Sequence, residues 1–366
     1  MLAKMLLRFS GFFILIFFLI FSANIFANPA GKSDENKEFD VNEMIMHHIK
    51  DAHEFHIMDI DGHAVSFPLP IILWTDNGLV TFLSSEFNHN DSGEVIVERK
   101  GQEFIKYHEK IFYANNTGGD KYVAYDVAGN VTNKKPLDLS ITKMVFSMFL
   151  SMLLLILIFV ATAKTYSKSK KGEPTGLGKF TEPLVMFIKD EVALPMIGEK
   201  NYQKYMPFLL TLFFFIWINN VMGLIPFFPF SANLSGNIAF TFVLAAITFI
   251  ITTVVGNKDY WKHIFWMPGI PVPMKLFLAP IEFLGIFIKP ISLMIRLFAN
   301  ISAGHIIILS LISLIFIFKS LWLAPASLFF SVFISLIEVL VVAIHAYIFT
   351  MLSALYIGSA IEEHEH

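Results

Sequence analysis

The chain has 366 residues, a formal net charge of -3, 55% apolar residues including 40 Phe, and a mean hydropathy of +0.63; this lies outside the soluble range and defines a polytopic membrane protein. Its charges are confined to particular segments, and it has no basic footprint of the kind that binds nucleic acid. With no cysteine, disulfides and Cys-based metal or redox sites are excluded, so an exported portion must fold without staples.

Residues 1–27 carry Lys4 and Arg8, then an apolar run from Gly11 to Phe21, then small residues ending at Ala27. That order reads as a signal peptide cleaved after Ala27, and an uncleaved signal anchor would equally leave the next segment outside. Residues 28–138 are polar, with turn signals at Asp76-Asn77-Gly78 and Thr117-Gly118-Gly119 and β-like runs at 63–74, 94–98 and 122–127. They read as a small β-rich periplasmic domain. Near its start, His47, His48, His53 and His56 fall close together and raise the idea of a metal site on a helix. HEFH lacks the His-Glu-x-x-His spacing that sets two ligands on one helical face, so a partner-binding or structural segment is the better reading.

Residues 139–164 hold the first membrane helix, since Met144 to Ala163 is an uncharged run long enough to cross a bilayer. Lys164, Lys168, Lys170, Lys171 and Lys179 come directly after it. By the positive-inside rule the loop 165–204 is cytoplasmic, which agrees with an exported N-terminal region. Within it, GLGKF at 176–180 lacks the earlier Gly of a phosphate loop and has Phe180 where Ser or Thr is needed, so no nucleotide site is expected. Phe180 to Leu194 reads instead as an amphipathic helix on the inner surface.

Residues 205–257 contain no Asp, Glu, Lys or Arg and have room for two spans joined by a turn around Gly223, Pro226, Pro229 and Asn233 to Asn237. Asn219 and Asn220 near the outer end of the first span would line a wet path or hydrogen-bond between helices. Residues 258–274 return the chain to the cytoplasmic side with Lys258, Asp259 and Lys262, and WMPGIPVP at 266–273 reads as interfacial coil.

Residues 275–361 form two apolar segments, each longer than an upright crossing needs, and predict a long tilted helical hairpin before a short tail at 362–366. Arg296 lies in the first; with Arg8 and Arg99 it completes the arginines of the whole chain. A central Arg in lipid costs roughly 3 kcal/mol on insertion scales. Unlike Lys, it stays protonated when desolvated, which suits a site that must remain positive beside a titrating carboxylate. A seven-residue step places Glu282, Lys289 and Arg296 on one helical face, with Ser292 and Asn300 four residues to either side of Arg296. Pro290 cannot donate to the carbonyl of Ile286, which predicts a bend just before Arg296. In an antiparallel hairpin turning near 320–325, His305 falls opposite Glu338, and His345 falls level with Arg296. A His–Glu pair inside a membrane is either a proton relay or a static clasp for the hairpin.

Ile295-Arg296-Leu297-Phe298-Ala299-Asn300, followed by Ala303-Gly304, together with Lys289-Pro290, the His–Glu pair and the run from Glu338 to Glu363, closely resembles the a subunit of F-type ATP synthases over about 141–364. The resemblance implies a helical membrane protein of about five spans that serves as stator in the proton-translocating sector. It implies no cofactor and no nucleotide site of its own. Implied partners are the ring of c subunits, the b-subunit stalk, the remainder of the ATP synthase, the lipid bilayer and protons, in a bacterial inner membrane with the C-terminus cytoplasmic. Protons would enter past Asn300, His305, Glu338 and His345 to a carboxylate on the ring, then leave near Glu282 and Ser292. Arg296 would separate the two half-channels, and Asn219, Asn220 and Lys289 are secondary candidates. His305 and Glu338 stand reversed relative to many bacterial members and resemble the mitochondrial arrangement, His345 stands where Gln is common, and the external domain is enlarged. A rival reading, a transporter or channel acting alone, predicts internal repeats, and the sequence has none. A receptor built on the external domain would leave the polar stripe unexplained.

Overall fold

The computed structural model describes residues 50–60, 63–115, 122–168, 175–225, 228–230, 232–267 and 269–362. The leader at 1–27, His47, His48, the turn at 117–119 and Glu363 lie outside the described residues. The described chain divides into a unit from Ala52 to Lys143 and a second one comprising Met144 onward together with residues 50–51.

The first unit is built from antiparallel strands. A hairpin pairs β1 (Glu54–Ile60) with β2 (His63–Pro68). One three-stranded sheet has β3 (Pro70–Thr75) between β4 (Gly78–Leu83) and β8 (Leu137–Asp138). The other has β6 (Gln102–Tyr107) between β5 (Val97–Arg99) and β7 (Lys110–Tyr113). Alternation along the strands sends Ile71, Leu73, Val80 and Phe82 inward, where they meet Phe87, Val97, Phe104 and Ile111 in one core. Asp76-Asn77 make the tight turn between β3 and β4, and Gly78 supplies the left-handed backbone at φ 90°.

Two stretches differ from their sequence expectation. The run at 94–98 becomes a strand only over Val97–Arg99, and 122–127 is not a strand, its ladder reduced to an isolated bridge between Tyr125 and Val131. The cause is Asn133, whose side chain takes the place of a partner strand. Its oxygen accepts from the Ala124 N–H at 2.7 Å, while its amide donates to the carbonyls of Tyr113 and Tyr122 at 2.8 and 2.9 Å. A polar side chain that competes for backbone groups in this way is invisible to an alternation pattern.

The second unit is helical, with five helices long and apolar enough to cross a membrane. These are α1 (Lys143–Lys168), α4 (Tyr202–Gly223), α5 (Ile238–Val255), α7 (Val272–Ile317) and α8 (Ala324–Ile361). Between them lie α2 (Gly178–Ile188), a π-turn at Lys189–Ala193 and α3 (Leu194–Ile197), and later the short α6 (Lys258–Phe265). The amphipathic stretch beginning near Phe180 is therefore helical, and Ile188, Val192, Ala193 and Ile197 enter the main core. Asn237 caps α5 by accepting from the Ala239 N–H at 2.9 Å. The predicted coil at 266–273 ends two residues sooner, because Val272 and Pro273 open α7, where a proline in the first turn forfeits no hydrogen bond. Helix α7 continues through Pro280 and Pro290 and gives way beyond Ile317 to a turn in which Lys319 is left-handed, at φ 48°.

Small residues set how closely these helices approach. A Cβ at Gly358 of α8 would run into the backbone carbonyl of Met196, so only glycine lets α3 lie against α8 at this depth. The contact closes a core of Leu209, Phe213 and Ile216 from α4, Leu297 and Ile301 from α7, and Ala346, Phe349 and Ile357 from α8.

Candidate functional site

Helix α7 packs on α5 and α8 through Ile286, Leu293, Leu297 and Ile301, which are buried at steps of seven, four and four residues. The neighbouring arc carries Lys289, Ser292, Arg296 and Asn300, all exposed, with Glu282 half-buried at its start. This is the stripe that the seven-residue spacing indicates, and it lies beside the packed face. Arg296 makes no hydrogen bond or ion pair among the described residues. Its charge lies within electrostatic reach of His345 and Tyr356 on α8.

Farther along the hairpin, His305 Nε2 lies 3.9 Å from Glu338 Oε1, with His305 20% and Glu338 4% exposed. The Ser327 hydroxyl donates to the Leu311 carbonyl nearer the turn, a second tie between α7 and α8. Both carboxylate oxygens of Glu338, the Ser302 hydroxyl and His345 Nδ1 are buried without a hydrogen-bond partner among the described residues. The structure thus brings His305 to Glu338 and sets His345 near Arg296. Asn300 and Ser292 remain on the open surface of α7.

At the other end of the stripe, Glu282 and Lys289 line a cavity of about 180 Å³ with Tyr260, His263, Ser359 and Glu362. The ammonium of Lys289 sits 5.6 Å from the centre of the Tyr356 ring. Burial, and then the charge of Glu282, pushes the phenol of Tyr260 up. Sequence reasoning missed Tyr260, His263 and Ser359 as lining groups. The signal for the first two was available: they sit at i and i+3 of a short amphipathic helix, and so share a face.

Asn219 and Asn220 are both buried. Asn219 does not bond between helices; its amide donates to the Phe215 carbonyl of its own helix at 2.7 Å. Neither side-chain polar atom of Asn220 has a hydrogen-bond partner among the described residues.

Of the four clustered histidines, the two described ones, His53 and His56, are not on a helix. His53 precedes β1 and His56 lies within it. His53 is 3% exposed, with Nδ1 3.6 Å from Glu109 and Nε2 3.4 Å from Asp138. Burial opposes its charge, but the carboxylates of Asp138 and Glu109 outweigh it and lift the imidazole to about 9. For Glu109 burial again opposes the charge, and His53 and Lys106 prevail, holding its carboxyl down at about 2. Among the described residues no group of three or more His, Asp or Glu side chains is disposed to hold a metal ion.

A family model described as ATP synthase A chain matches residues 145–358, and a domain of unknown function, DUF8433, matches residues 44–139. ATP synthase subunit a of Chloroherpeton thalassium is 43% identical over 235 residues, covering 63% of this chain and 69% of that protein. ATP synthase subunit a of Chlorobium phaeobacteroides is 44% identical over 236 residues, covering 63% and 67%. ATP synthase subunit a of Anaeromyxobacter dehalogenans is 35% identical over 288 residues, covering 76% and 73%.

Proposed function

The chain belongs to the ATP synthase A chain family, and on that premise we propose that it is the stator path for protons, with Arg296 as the charge that divides an outer half-channel from an inner one. The observation that carries this reading is the state of Arg296. A permanent cation on an apolar membrane helix, exposed and without an ion pair among the described residues, calls for a carboxylate from elsewhere. A ring of c subunits carrying one titrating acid each would supply it in passing, and the guanidinium would force each acid to release its proton before crossing.

The outer path runs by Asn300, His305, Glu338 and His345. In support, Glu338, His345 and Asn220 hold buried polar atoms without partners among the described residues, which are the groups that water satisfies in a wet channel. The inner path runs by Ser292 and Glu282 into the cavity with Tyr260 and His263, on the cytoplasmic side. The b-subunit stalk would hold the assembly in a bacterial inner membrane, with the strand-built unit in the periplasm.

The test is ATP-driven proton pumping and passive proton leak in inverted vesicles that contain the whole complex, native against Arg296→Ala. Loss of pumping while the c ring still copurifies is the expected result. Undiminished pumping would remove Arg296 from the mechanism, and loss of the ring would make its role one of assembly.

A further inference from the structure

The strand-built unit leaves one of its own faces bare. On β3 and β4 the side chains that alternate with the core residues include Trp74, Leu79 and Leu83, which are 58%, 46% and 48% exposed, with half-buried Ile72 and the one polar group, exposed Thr81, between them. Strand β8 and its continuation add Leu137 at 61% and Leu139 at 54%. Trp74 pairs with Leu79 on one side and with Leu137 on the other, and Ile72 and Pro70 carry the same face of β3 on to Leu139 and Leu83. The outer face of an antiparallel sheet in water is normally polar, and a grouped apolar face marks a binding surface.

The path of the chain identifies what it binds. The Leu139 N–H donates to the Ile72 carbonyl at 2.9 Å, Ile141 to Pro70 at 3.1 Å, and Lys143 to Ala52 at 2.8 Å. Lys143 is also the first residue of a 24-residue span apolar enough to cross a bilayer. The sheet that carries the bare face is hydrogen-bonded to the chain as far as Ile141, two residues before Lys143 opens the apolar span. Tryptophan, with an apolar ring and one N–H donor, is the side chain best suited to the headgroup zone. We propose that Trp74, Leu79, Leu83, Leu137 and Leu139 form a lipid-docking face that seats in the headgroup region of the leaflet on their own side of the membrane. This is a second membrane contact, separate from the spanning helices and independent of the proton path.

The absence of native cysteine makes the test direct. Single variants Leu79→Cys and Leu83→Cys, with Lys110→Cys on the exposed edge of the other sheet as reference, are spin-labelled in the assembled complex. The complex is placed in nanodiscs of phosphatidylethanolamine and phosphatidylglycerol, and collisions with oxygen and with a water-soluble nickel chelate are measured. Docking gives an oxygen-to-nickel ratio at positions 79 and 83 several-fold higher than at 110. Equal ratios at all three sites would mean that the face is in water and overturn the proposal. Labels at 79 and 83 immobilised and shielded from both reagents would also overturn it, in favour of a protein partner.

Discussion

The carboxylate of Glu338 fills the space that a side chain at position 304 would need: a Cβ built on Gly304 comes within 2.8 Å of Glu338 Cδ. The glycine next to His305 is thus what lets Glu338 reach the histidine. Gly304→Ala is expected to displace the carboxylate at an overpacking cost of about 1–3 kcal/mol, and to lower ATP-driven pumping while c-ring copurification is retained. Normal pumping in that variant would show that the position of Glu338 is not critical.

The His305–Glu338 contact also predicts a reciprocal effect. His305→Glu alone puts two acids together, and Glu338→His alone puts two imidazoles together, so each is expected to lose most of the pumping. The double exchange restores an acid–imidazole pair and is expected to recover a large part of it. Measured as a double-mutant cycle, recovery beyond additivity reports the coupling, and simple additivity would mean that the two side chains act independently.

At Gly358 the neighbour is backbone, the Met196 carbonyl, which cannot swing aside as a side chain does. Gly358→Ala is expected to separate α3 from α8 and to destabilise the helical unit by about 3 kcal/mol, at the upper end of overpacking costs. A thermal unfolding midpoint of the detergent-solubilised complex equal to that of the native protein would contradict this.

The buried His53 gives the strand-built unit a pH-dependent stability with a definite sign. Its pKa rises from 6.5 to about 9 on folding, so its contribution is complete below 6.5 and is lost as the pH climbs through 9. The size is on the order of 3 kcal/mol at 1.36 kcal/mol per unit. Glu109, lowered from 4.5 to about 2, contributes fully above 4.5 and loses its share as the pH falls to 2. Hydrogen exchange of residues 97–113 in the full complex is expected to speed up between pH 6.5 and 9 beyond its intrinsic increase. In His53→Gln that extra rise should be absent.

The membrane part was readable in the sequence because each of its rules has one strong physical term. A charge-free run must be a span, a seven-residue step must return to one face, and equal distances from a turn must meet at one depth. Those rules led to the five spans, to the stripe from Glu282 to Asn300 and to the pairing of His305 with Glu338. They did not reach Tyr260, His263 and Ser359, which come together only when α6 folds back beside α7 and α8. In the strand-built unit the alternation was masked. Strand β6 reads QEFIKY and buries Phe104, Ile105 and Lys106 in succession, because Lys106 neutralises Glu109 and Glu54 at 3.5 and 3.7 Å inside the unit. A buried lysine in mid-strand looks like a solvent position until its partners are seen.

The meeting of Gly358 with Met196 also bears on how the protein is made. Met196 leaves the ribosome long before Gly358 does, so Ile188, Val192 and Ile197 lack the cover that α8 gives them while the intervening helices are being inserted. During that interval the unfinished chain presents an apolar ridge of the sort that chaperones hold and membrane proteases recognise. A product truncated before Gly358 is expected to keep that ridge open and to be degraded faster than the chain that carries α8.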